Sequence, residues 1–279
     1  MKKYRLLLIT LAVFLSISQT HAQNPATDGM AQIPAGEFWM GRTFNWLLDE
    51  LNMHLRPRLD DQPVHLVYLD SYWIDTHEVT NEKYLRFADE TRRKKPFHWI
   101  GGKIPAGKEK FPVYNVTWDD ATAYCKNVGK RLPTEAEWER AARGGVEKTM
   151  YPWGAELRAA ARRGGSAPEP DTPGLVDGKK ARFGYPNGPT AVGTYGPNGF
   201  GLYDVTGNVW EWVNDWYQQD YYSLSPEKNP PGPTSGRYRV IRGGGWSDSD
   251  ERILAVHYRN FTNQDLPSDT VGFRCARSQ

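Results

Sequence analysis

The chain has 279 residues, with 35 Lys and Arg against 33 Asp and Glu for a formal charge of +2. No basic stripe interleaves its aromatics, so nothing in it points to a nucleic-acid partner. Glycine (27), proline (20) and tryptophan (11) are all abundant, which implies short regular elements, long loops and enough large aromatics to hold a loop-rich core together.

Residues 1–22 read as a secretory leader. Lys2, Lys3 and Arg5 precede an apolar run from Leu6 to Ile17, and Thr20-His21-Ala22 forms a small-x-small exit. The run is short for a bilayer span, a membrane anchor being the alternative. Cleavage before Gln23 removes three bases and no acids, which moves the charge from +2 to −1 and leaves one domain over 23–279. That domain has no apolar run near the ~20 residues a membrane helix needs, and no cysteine near the cleavage point for a lipid anchor. The expected location is secreted or periplasmic.

Residues 30–41 alternate apolar and small side chains and predict a first strand. Residues 42–62, with Phe44, Trp46, Leu47, Leu48, Leu51, Met53 and Leu55, suit a short amphipathic helix or an apolar flap. Residues 63–80 are rich in β-formers and predict two strands around Asp70-Ser71. Thr80 opens a helix with Tyr84, Phe87 and Ala88 on one face and Val79 stapled onto Tyr84. Thr117 opens a second, lined by Trp118, Ala121, Tyr124, Cys125 and Val128 and ended by Gly129. Thr134 and Glu137 form a capping box for a third, with Trp138, Ala141 and Ala142 inward. Periodicity stops after Arg143. Residues 151–154 form a turn, 155–190 a long surface loop, and short strands follow. Cys125 and Cys275, in an oxidising compartment, make one disulfide most simply, with two buried thiols or a reactive pair as alternatives.

The blocks IPAGEFWMG, IDTHEVTNEKYLRF, PVYNVTWDDATAYCKNVGKRLPTEAEWERAARGG, YPWG, PNGFGLYDVTGNVWEWVNDWY, RVIRGGGWSD and VGFRCAR run in this order over most of 30–277. Together they resemble the formylglycine-generating, or sulfatase-modifying-factor, family. The resemblance implies a single loop-rich α+β domain of C-type-lectin-like fold, with short strands and a few helices. It implies, for active members, an oxidase that converts a peptide cysteine to formylglycine with copper(I) held by two cysteine thiolates. Soft thiolates suit Cu(I). The matching positions fall near Asp248 and Ile253, and no cysteine lies between 126 and 274. Copper is therefore not expected. The resemblance also implies that Cys125 and Cys275 form a structural disulfide.

Residues 204–211 resemble the family's calcium loop, with Asp204 and Glu211 as carboxylate ligands and the carbonyls of Gly207 and Val209 between them. The plain alternative is that Asp204 caps a turn and Glu211 pairs with an arginine such as Arg242. The family's second calcium site is not carried over, because its early Asn has no clear match before Gly184-Tyr185. The acids and arginines of KRLPTEAEWERAARGG read as helix capping and salt bridges. No HExxH pattern, nucleophile elbow or phosphate loop is present, and Ser247 and Ser249 have no evident base. Trp210, Trp246, Arg259 and Asn260 fall in blocks that border the family's peptide cleft. The expected function is thus a secreted, non-oxidase domain that binds a protein, a peptide or a glycan, or acts as a cell-envelope scaffold. The alternative is a sulfatase-modifying or other oxidase with a divergent site.

Overall fold

The computed structural model describes residues 29–43, 60–153, 181, 184 and 188–279. The expected leader, most of the expected helix or flap of 42–62 and most of the expected surface loop of 155–190 lie outside the described residues.

Where one strand is expected over 30–41, the chain forms two, β1 (Met30–Ile33) and β2 (Gly36–Met40). Pro34 has no amide to donate to a ladder, and at that point the chain changes partners. β1 pairs antiparallel with β4 (Tyr72–Asp75), and β2 pairs with β3 (His65–Leu69). β4 in turn carries β9 (Ala276–Ser278), so the C-terminus closes a three-stranded sheet opened near the N-terminus. The second larger sheet has the order β7-β6-β5-β8, from β5 (Trp210–Trp216), β6 (Arg239–Arg242), β7 (Asn260–Thr262) and β8 (Val271–Gly272). In this sheet β5 and β8 run parallel and the other two pairs antiparallel.

The three expected helices are present: α1 (Asn81–Thr91), α2 (Trp118–Asn127) and α3 (Glu135–Arg143). Thr80, Thr117 and Thr134 cap them, and the last two make full capping boxes with Asp120 and Glu137. α2 stops at Val128, after which Gly129 takes φ 71°. Val128 thus leaves the buried face of α2 and stands 42% exposed.

Two apolar clusters make up most of the core. Ile33, Phe38, Val67, Ile74, Trp138 and Ala141 join the small sheets to α3. Tyr84, Phe87, Ala121, Trp212 and Phe273 join α1 and α2 to the second sheet. The Cys125–Cys275 disulfide lies in the latter, with a Cα–Cα distance of 5.6 Å.

The interior of α3 is charged as well as apolar. Arg143 and Arg242 hold Glu139 at 2.6 Å each, while Arg242 and Arg259 hold Glu135 at 2.8 and 2.7 Å. Burial pushes the Glu139 carboxyl up, but Arg143 and Arg242 outweigh it and hold it down at about 2. Losing one partner would strand a buried charge, at a cost of about 3–5 kcal/mol.

Candidate functional site: the glycine loop and the acids beneath it

The loop after β6 is shaped by three glycines. Gly243 (φ 97°) lies against the Trp138 ring, where a Cβ would come within 3.1 Å. Gly244 (φ 77°) packs on Leu254 so closely that a side chain would overlap it. Two backbone bonds, Gly207 N to Gly243 O and Trp246 N to Asn208 O, both 2.8 Å, zip this loop onto 204–211.

Asp248 closes a turn. Its Oδ2 accepts from Gly245 N at 2.7 Å, and its own amide donates to Gly245 O at 3.2 Å. Burial raises its carboxyl, while the Gly245 amide and the Trp210 indole work against that rise. Ile253 is half-buried against the second apolar cluster. The two positions that resemblance assigns to catalytic cysteines are thus a turn-closing acid and a packing residue. Asp250 is tied to Arg252 at 2.5 Å, while Ser247 and Ser249 are exposed.

Beneath the loop lies a group of buried acids. The segment 204–208 is wound by three positive φ angles, at Asp204 (54°), Gly207 (82°) and Asn208 (61°). Glu211 spends both oxygens on Arg274, at 2.7 Å each, and Oε2 also accepts from Trp138 Nε1 at 2.9 Å. Its arginine partner is therefore Arg274 rather than Arg242, which Glu135 and Glu139 engage. Asp204 Oδ2 accepts from Gly193 N at 2.6 Å, and its Oδ1 is buried with no hydrogen-bond partner. Burial pushes the Asp204 carboxyl up to about 6, against the Gly193 amide and Arg274. The third acid, Glu78, is fully buried and was not singled out by the sequence. It accepts from Asn208 Nδ2 at 2.7 Å and Val209 N at 3.3 Å. Burial, then Asp204 and Glu211, pushes its carboxyl well above the usual range.

Among the described residues no group of three His, Cys, Asp or Glu side chains is arranged to hold a metal ion. The fit to calcium is therefore partial. Asp204 offers an unused buried oxygen beside excess negative charge, whereas Glu211 is already saturated by Arg274 and Trp138.

The expected cleft residues separate. Trp246 and Asn260 are half-buried, and Trp246 Nε1 donates to Asp269 O at 3.1 Å. Trp210 and Arg259 lie inside, 4% and 2% exposed, rather than along a cleft. Arg259 turns inward because it forks Glu135, through Nε at 2.7 Å and a second nitrogen at 2.9 Å. That partner is 124 positions away, so no local pattern announced it.

The sequence profile of the sulfatase-modifying factor enzyme 1-like domain matches residues 16–279. The chain belongs to this family. A formylglycine-generating enzyme of Streptomyces coelicolor is 34% identical over 302 residues, covering 91% of each chain. The serine/threonine-protein kinase pkn1 of Chlamydia pneumoniae is 35% identical over 271 residues, covering 91% of this chain. The chain spans 38% of that relative's length. Among solved structures, Treponema denticola variable protein 1 superposes with a TM-score of 0.67 at 26% identity, covering 90% of this chain and 95% of its own. The family fold is the loop-rich, C-type-lectin-like α+β domain, here as a single unit.

Proposed function

We propose that this domain is a family member without the copper oxidase chemistry, serving outside the cytoplasm as a binding module for a protein or peptide. One observation carries the reading. The two cysteines of the chain are bonded to each other, leaving no thiolate pair for Cu(I). The turn-closing role of Asp248 and the packing of Ile253 support it, because both give those positions a structural use. The half-buried Trp246, followed by the exposed Ser247 and Ser249, offers an aromatic contact with polar neighbours. The names of the relatives, a formylglycine-generating enzyme and a kinase, support a domain reused in different settings. The basic and apolar residues of 1–22 support export.

Calcium remains part of the proposal. Asp204 and the carbonyls of Gly207 and Val209 would hold it, with Glu211 lending charge while bound to Arg274. The ion would supply positive charge to the buried acids and tie 204–211 in place.

The test incubates the protein with a Cys-x-Pro-x-Arg peptide and copper under air. Mass spectrometry is expected to return the peptide cysteine unchanged, and an aldehyde product would overturn the non-oxidase reading. For binding, a photo-reactive amino acid in place of Ser247 is expected to cross-link one partner in living cells of the native host. A cross-linking pattern no different from that of a probe on a remote face would count against this surface.

A further inference from the structure

The two most exposed large apolar side chains among the described residues lie three positions apart. They are Phe97, 67% exposed, and Ile100, 90% exposed. Both belong to the tip that joins α1 to the segment before α2, and this tip is firmly built. Pro96 and Trp99, also three apart, are buried on its inner side. Trp99 is 2% exposed and meets Tyr84 edge-on at 6.3 Å. The turn is closed by Trp99 N to Pro96 O at 3.0 Å and Gly102 N to Trp99 O at 2.8 Å. His98 stacks on Tyr114 at 4.2 Å and bonds to Asn115 Nδ2 at 3.1 Å. The outward position of Phe97 and Ile100 is therefore set by the inward position of their neighbours.

Charge surrounds the tip. Arg93 is used by Asp119 and Asp120, and Lys95 by Asp89 at 2.6 Å. Arg92, Lys94 and Lys103 are exposed and have no ion pair among the described residues. Two neighbouring exposed acids have no such partner among the described residues, Glu90 and Asp269, the second acting on the Tyr114 that stacks on His98. The tip thus combines two apolar prongs with a net positive rim.

We propose that this tip docks the domain onto an anionic lipid membrane surface, Phe97 and Ile100 entering the headgroup boundary while Arg92, Lys94 and Lys103 meet the lipid phosphates. Amphipathic surfaces bind bilayers through buried apolar area plus attraction to anionic lipid, and each Lys or Arg near such a surface adds roughly 1 kcal/mol. The chemistry favours lipid over protein. Protein interfaces bury a contiguous apolar centre and are depleted in lysine, whereas here two isolated prongs stand in a lysine and arginine rim. The apolar area offered is two side chains on a turn, so the contact is peripheral. This inference is independent of the binding surface around Trp246.

Because both native cysteines are in the disulfide, Ile100→Cys introduces a single thiol that can carry an environment-sensitive NBD fluorophore. On the full chain, vesicles of equal phosphatidylglycerol and phosphatidylcholine should shift its emission to the blue, and phosphatidylcholine alone should not. The probe reads position 100 itself, so membrane binding by the apolar run of 6–17 does not imitate the signal. Adding Arg92→Gln, Lys94→Gln and Lys103→Gln should weaken the vesicle dependence on the order of a hundredfold at low salt, with an unchanged melting temperature. Phe97→Ser, a single exposed change, should weaken it on its own. An unshifted emission on sedimented vesicles overturns the proposal. So does an equal shift with neutral vesicles, or an equal shift produced by polyglutamate, which would mark an acidic protein partner instead.

Discussion

Asp215, on β5, is 3% exposed, and its Oδ2 accepts from the Glu135 amide at 2.8 Å. Burial, then the nearby Glu135, pushes its carboxyl up to about 8 from an ordinary 3.8. A folded-state value above the unfolded one means that the folded protein holds this proton more tightly. The associated stability is therefore complete below about pH 4 and is lost as the pH rises through about 8. Asp215→Asn keeps the shape and the acceptor and is neutral at every pH. Its melting temperature should gain on the parent protein steadily from pH 5 to pH 8. A difference that stays constant over that range would show that Asp215 does not titrate there. Asp215 sits among letters that look like an ordinary strand, and the sequence offered no reason to single it out. Its unusual state comes from burial first and then from Glu135, 80 positions earlier. Glu78 was missed for the same reason, since its partners Asn208 and Val209 lie 130 and 131 positions on.

At the scale of elements, the helix starts were legible because capping is local. Thr134 Oγ1 accepts from Glu137 N at 3.2 Å, and Glu137 returns a carboxylate oxygen to Thr134 N at 2.8 Å. Thr134→Ala should destabilise the protein by about 1 kcal/mol, lowering its melting temperature by roughly 2–4 °C. Glu137→Ala should cost more, because Arg131 donates to both of its oxygens at 2.6 and 2.7 Å. Thermal unfolding of the two variants side by side checks both the size and the order. The strands were less legible. The run 30–41 reads as continuous, yet Ile33 pairs with Tyr72 while Gly36 pairs with Leu69. Pro34 marks the break locally, but which strand receives each half depends on residues 25 to 45 positions away.

For the whole molecule, the 204–211 loop joins distant parts of the chain. Glu78 precedes α1, Arg274 lies just before β9, and Gly193 and Gly243 bring two further loops onto it. Calcium at Asp204 would therefore act on global stability. EDTA should lower the melting temperature and added calcium should restore it, a ligand at a hundred times its dissociation constant being worth about 2.7 kcal/mol. An unchanged melting temperature with EDTA would remove the calcium proposal and leave protonation of Glu78 and Asp204 as the way these acids are tolerated. The disulfide acts on the same scale, closing a separation of 150 residues between α2 and the C-terminal segment.

The sequence by itself determined the family, the three helix starts and the absence of a cysteine anywhere in the glycine-loop segment. Each is written in adjacent letters, in the order of blocks, or in simple composition. Tertiary structure decided the rest. It placed Asp248 in a turn and Ile253 half-buried against the second apolar cluster, turned Arg259 inward to Glu135, and gave Glu211 to Arg274. It also set Phe97 and Ile100 on the outside by burying Pro96 and Trp99. The physical reason is common to all of these. A buried charge or a packed side chain takes its meaning from partners that chain folding brings to within 3 or 4 Å, and sequence distance carries almost no information about which partners those are.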